Sequence, residues 1–126
     1  MVLITSDPID PHGAYDLIAS KSAGSVLFHY AVVKAQKGNK GVTCHIEYAL
    51  AGDAENELRT IAGEIADAWD IEDLLLVRRI GRLGVGEIIS LVAASSPSSE
   101  DAFAACKYGI GRLKKMRSIA KNEVCA

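Results

Sequence analysis

Residues 87–95 read EIISLVAAS, apolar at nearly every position. A half-exposed strand alternates apolar and polar residues, because successive side chains point to opposite faces. A strand that is apolar on both faces has to be covered on both faces. This stretch is therefore expected to be a strand with cover on both sides.

The segments around it supply the cover. VLIT at 2–5 reads as a short strand, stopped by Asp7-Pro8 and Asp10-Pro11. Asp10 is placed to cap a helix with Pro11 at its first position. Tyr15, Leu17 and Ile18 give that helix a buried side. SVLFHYAVVK at 25–34 is β-branched and aromatic, and VTCHIEYAL at 42–50 alternates. Both read as strands. The polar connection AQKGNKG at 35–41 makes them a long hairpin with a mobile tip.

Residues 53–69 carry the clearest helical pattern. Leu58, Ile61, Ala62, Ile65 and Trp69 make one apolar stripe, with Asp53 as N-cap. DLLLVRRI at 73–80 reads as a strand, and GRLGVG at 81–86 as a loop or tight turn. Ser98 with Asp101 forms a variant capping box for the last helix. Its expected buried stripe is Phe103, Cys106, Ile110 and Leu113. Gly109 and Gly111 cost that helix about 1 kcal/mol each relative to Ala, a cost that close packing would explain. Residues 116–124 are expected to leave as an extended segment. The order is β-α-β-β-α-β-β-α-β over a single domain, 1–126. Hairpins mixed with helical crossovers define an α+β fold rather than a doubly wound parallel sheet.

Charge and cysteine usage exclude several classes. The net charge is −2 and the pI about 5.9, which argues against a nucleic-acid binder. Yet Lys107, Arg112, Lys114, Lys115, Arg117 and Lys121 crowd the C-terminal end. Cys44, Cys106 and Cys125 are widely spaced with no CxxC, so no metal site is expected. Few cysteines point to a reducing, cytoplasmic setting. MVLITSDPID lacks the pattern of a signal peptide, and no segment has the length of a membrane span.

Several residue groups carry possible chemistry. The glycines at 81–86 match neither GxGxxG nor a Walker A pattern and precede no helix. His12 has no evident partner. His29 and His45 lie on the two strands expected to pair. Serines 95, 96, 98 and 99 lack a GxSxG context and fit capping and turn roles better. Arg78 and Arg79 end a strand with Arg82 close behind, an arrangement that faces an anion or a solvated rim. Lys114 matches the macrodipole at a helix C-terminus. Lys121 lies beyond that helix and is not explained so. Lysines grouped in a partly buried pocket serve as proton donors, acceptors or nucleophiles.

The order of motifs resembles the large, catalytic subunit family of molybdopterin synthase. ITSDPID at 4–10 is similar to that family's ISxDPID. Arg78-Arg79-Ile80-Gly81-Arg82-Leu83 approximates HRxGxL, followed by Gly86-Glu87. SSPSSEDAFAA at 95–105 is similar to SSxHRxxAFxA, and LKKMRSIAKNE at 113–123 to LKxxxPIWKKE. The resemblance implies an α/β-hammerhead fold and a homodimer. Each protomer would bind a small ubiquitin-like carrier with a thiocarboxylated Gly-Gly C-terminus, giving a heterotetramer. It implies transfer of two sulfurs to cyclic pyranopterin monophosphate, yielding molybdopterin, with no cofactor. Lys114 and Lys121 match the family's active-site lysines. Lys114 would take part in the chemistry and Lys121 in positioning and charge stabilisation. Arg79, Lys34, Arg78, Ser98 and Ser99 are the expected substrate-binding set.

The chain departs from the pattern at several positions. Ser98-Ser99 stands where the family has His-Arg, and Arg78 where HRxGxL has its histidine. Val33, with Lys34 beside it, stands nearest the arginine of FxGxVR. Ala120 and Asn122 replace the tryptophan and second lysine of PIWKKE. Lys34, Arg78 and Arg82 are the cations placed to compensate. A second reading follows: a catalytically weak or inactive relative that binds a ubiquitin-like partner or a pterin ligand.

Overall fold

The computed structural model describes residues 1–35 and 44–125. In chain order it contains β1 (Val2–Thr5), a 3-10 turn (Ala14–Leu17), β2 (Ser25–Val32), β3 (Cys44–Leu50), α1 (Ala54–Ala68) and β4 (Asp73–Arg79). Then come β5 (Gly81–Leu83), β6 (Ile88–Ser96), α2 (Ser99–Lys114) and β7 (Ile119–Cys125). The expected connection at 35–41 and the start of the expected strand at 42–43 lie, but for Ala35, outside the described residues.

Two sheets divide the strands. One has four strands in the order β1-β4-β6-β2, the other three in the order β5-β3-β7. The apolar strand β6 is central, between β4 and β2, and is buried from Ser90 to Ser96. Strand alternation assigns its two faces. Leu76, Val92 and Ala94 join Leu58, Ile61 and Ile65 of α1 and Leu113 of α2 in the main core. Leu75, Val77, Leu91 and Ala93 face the other way, under Ala14 and Ile18. The fold is α+β, as its element order implies.

The expected hairpin does not form. β2 pairs antiparallel with β6, from Ser25 opposite Ser96 to Val32 opposite Ile88. β3 is instead held between β5 and β7 in the second sheet. Gly81–Leu83 is a strand rather than only a loop, because Leu83 and Gly81 pair with Ile46 and Tyr48.

The expected first helix is replaced by a single 3-10 turn. Gly13, at φ +81°, sits just before it in a left-handed conformation that a helix from Pro11 does not permit. Asp10 accepts from the His12 backbone and ring instead. Ala14 and Ile18 are buried there, whereas Tyr15 and Leu17 are exposed.

Both long helices start at the expected caps. Asp53 accepts from Asn56 N–H at 3.0 Å, and Ser98 from Asp101 N–H at 3.2 Å. The buried face of α2 differs from expectation. It runs through Ala102, Ala105, Cys106, Gly109 and Leu113, while Phe103 is 65% exposed. The reason is proximity to β6: a Cβ on Gly109 would meet Val92 Cγ1 at 3.0 Å. Small residues let the helix approach, and a phenyl ring on that face would hold it off. Gly111 has no such neighbour. Tyr108 and Arg112 of α2 both reach Glu64 of α1, and Trp69 lies 5.6 Å from the Tyr108 ring.

Candidate functional site

Register builds a cavity between the two sheets. Arg78 of β4 and Ala31 of β2 both lie opposite Ser90 of β6, so the three form one row on the face toward the main core. On the second sheet Lys121 of β7 lies opposite Tyr48 of β3, and directly opposed residues share a face. Lys114, the last residue of α2, closes one end. Lys34, just past β2, adds a further cation. The enclosed space is about 570 Å³.

The lining includes Lys34, Arg78, Lys114 and Lys121, together with His29, and among the described residues it contains no Asp or Glu. Arg78 is 6% exposed. Its guanidinium lies 4.1 Å from the centre of the Tyr48 ring, within cation–π range. One of its nitrogens donates to the Arg79 carbonyl at 2.8 Å. Burial draws the Arg78 guanidinium below its ordinary pKa, with Tyr48 acting the other way. Among the described residues no ion pair involves Arg78 or these three lysines. The His29 Nδ1 is buried there with no hydrogen-bond partner among the described residues. Unpaired positive charge around a partly closed space attracts anions and holds them more strongly than in water.

The other candidate residues go elsewhere. Arg79 is turned to the opposite side of β4 by strand alternation and pairs with Glu87 at 3.0 Å. Glu87 also accepts from Gly84 N–H, and these two bonds hold its carboxyl below the usual range. The Glu87 carbonyl accepts from Val33 N–H, and Gly86 N–H donates to the Val33 carbonyl. Arg79 thus braces the turn that fastens Val33, the residue before Lys34. Ser98 is occupied as the N-cap of α2. Ser99 begins that helix, and its 16 residues set about 24 Å of axis between Ser99 and Lys114. Neither serine lines the cavity.

Arg82 lies near His45 Nδ1 at 3.4 Å rather than in the cavity. His29 and His45 sit in different sheets and do not form a pair. The His12 ring is 3.0 Å from Asp10. Ser95 and Ser96 are fully buried and donate to the Ala19 and Asp70 carbonyls. Among the described residues no group of three His, Cys, Asp or Glu is placed to hold a metal ion. Sequence reasoning left out Tyr48 and Ser90 as site residues. Tyr48 was within reach, since its alternation with Ile46 puts both on one face. Ser90 emerges only from register.

Fold and cavity together define an α+β protein with a basic cavity between two sheets. The chain belongs to the MoaE protein family, whose pattern matches residues 4–116. The molybdopterin synthase catalytic subunit of Staphylococcus carnosus (strain TM300) is 35% identical over 123 residues, 96% of this chain and 81% of that one. The subunit of the same name from Nostoc sp. (strain PCC 7120 / SAG 25.82 / UTEX 2576) is 34% identical over 95% of this chain and 73% of its own length. The crystal structure of molybdopterin synthase from Staphylococcus aureus superposes with a TM-score of 0.86 at 31% identity, covering 98% of this chain and 90% of that one. A chain in the complex of subunits 1 and 2 of the molybdopterin-converting factor from Helicobacter pylori 26695 shares the fold, with a TM-score of 0.76 at 13% identity. It covers 98% of this chain and 84% of that one.

Proposed function

We propose that the chain is the catalytic subunit of a molybdopterin synthase. It transfers sulfur from the thiocarboxylated C-terminus of a small carrier to cyclic pyranopterin monophosphate. One observation carries this reading beyond family membership: Lys34, Arg78, Lys114 and Lys121 line one cavity that has no carboxylate among the described residues. A phosphate and an acidic peptide tail both need such a lining, and each added anion is stabilised without first displacing a protein partner. Arg78 and Lys34 hold the pterin phosphate. Lys114, at the helix end, supplies or accepts the proton of the transfer step, and Lys121 stabilises the charge that develops. The partner is a small ubiquitin-like subunit ending in Gly-Gly; the Helicobacter pylori neighbour with this fold is itself described as a two-subunit complex. The assembly is a homodimer carrying two small subunits, and it works in the cytoplasm. Among the described residues no helix is long and apolar enough to cross a membrane.

The test is reconstitution with the thiocarboxylated carrier and the cyclic precursor. Dithiolene product at a rate comparable with a family control is the expected result. Carrier binding without product would reject the enzyme and leave a binding relative.

A further inference from the structure

The two cavity lysines belong to different elements. Lys114 ends α2, and Lys121 is the third residue of β7. Their relative placement depends on the chain between them, and one side chain grips it. Glu57 Oε2 accepts from Arg117 N–H at 3.1 Å. Its Oε1 accepts from Ser118 N–H at 3.0 Å and from Ser118 Oγ at 2.5 Å. On the other side Ala51 N–H donates to the Ser118 carbonyl at 2.7 Å, and a Cβ on Gly52 would meet Ser118 Cβ at 3.4 Å. Ser118 is thus gripped by the carboxylate and by the chain entering α1.

Glu57 does not line the cavity itself. It lies in the first turns of α1, whose apolar face is fixed in the core by Leu58, Ile61 and Ile65. The carboxylate therefore ties the turn to a rigid element. Three donors converge on two oxygens. A Gln amide keeps one oxygen acceptor and turns an NH₂ toward Arg117 N–H, so the grip cannot survive intact.

We propose that Glu57 is a positioning residue for the sulfur-transfer site, fixing the Arg117–Ser118 turn and so the placement of Lys114 against Lys121. This rests on the sulfur-transfer reading for its activity arm alone. Misplacing a reacting group by about 1 Å costs up to a hundredfold in rate. The test uses Glu57→Gln in the reconstituted complex, with Glu55→Ala as control on the same helix. Turnover, KM for the carrier and melting temperature are measured together. In parallel, lysines are reductively methylated with ¹³C and their resonances compared between wild type and variant. Lys114 and Lys121 are assigned through Lys→Arg variants.

The expected result is a folded Glu57→Gln protein with kcat lowered roughly tenfold to a hundredfold and KM for the carrier unchanged. The Lys114 and Lys121 resonances move, while those of Lys21 and Lys107 stay. Glu55→Ala behaves as wild type. A folded variant with wild-type kcat, or with Lys114 and Lys121 resonances unmoved, overturns the proposal. If the wild type itself transfers no sulfur, the sulfur-transfer reading fails and the resonances alone decide the role of Glu57. If Glu57→Gln does not fold, Ser118→Ala removes one of the three donors and is read in the same way.

Discussion

Arg78 and Arg79 are chain neighbours on β4 and are almost equally buried, at 6% and 8% exposure. Their circumstances are opposite. Arg79 faces a carboxylate, and the pair braces a turn. Arg78 lies over an aromatic ring, in a cavity whose lining among the described residues has cations and no acid. A buried guanidinium without a counter-charge lowers stability, since desolvation is only partly offset. The fold resolves that cost at one arginine and retains it at the other. Paired charge here maintains structure; unpaired charge is left facing the cavity.

Substitutions test this contrast, beginning with the largest effect. Lys114→Ala removes the group proposed to handle the proton, so turnover should vanish while carrier binding, followed by calorimetry, persists. Arg78→Met should lower turnover about a hundredfold, the scale for removing one charge-stabilising donor. Its melting temperature should match or exceed that of the wild type, because an unpaired buried charge is gone. Arg79→Met should do the reverse: destabilisation of about 1–2 kcal/mol in urea titrations, with activity lost chiefly through Lys34. A loss of stability in Arg78→Met larger than in Arg79→Met would reject the contrast.

Acid should probe the carboxylates. Burial pushes the Glu57 carboxyl up, but bonds from the Ser118 hydroxyl and from Ser118 and Arg117 N–H outweigh it, leaving it below its ordinary 4.5. A depressed folded-state value means stability present above the unfolded value and lost as pH falls through the folded one. Melting temperature should therefore drop below about pH 4.5, and less steeply in Glu57→Gln. The smallest effect is expected at Arg59, paired with Glu55 in solvent. Arg59→Ala should change stability by under about 0.5 kcal/mol.

The local signals of the two long helices were dependable, whereas the Asp10-Pro11 signal was not, because Gly13 turns left-handed just after it. The Leu58–Ile61–Ile65 stripe and the caps Asp53 and Ser98 are written within a few residues, and the two helices formed there. The nearly continuous apolar run of β6 correctly demanded cover on both faces. Pairing over distance was not legible. β2 and β3 looked like a hairpin because they are adjacent in sequence, but their partners lie in β6, β5 and β7. Three residues, Gly81–Leu83, read as a turn because their strand character comes from β3. Phe103 was assigned to the core because periodicity cannot show how closely α2 approaches β6. At the site, Lys114 and Lys121 stood out through motif order. Glu57 did not, since its partners lie 60 and 61 positions away.

The contact between Arg78 and Tyr48 joins parts that the hydrogen-bond ladders leave apart. β4 belongs to the four-stranded sheet and β3 to the three-stranded one. The guanidinium resting on the ring is a rivet across that seam, and the rivet head is also part of the cavity wall. One side chain thus serves both the joint between the sheets and the wall of the cavity.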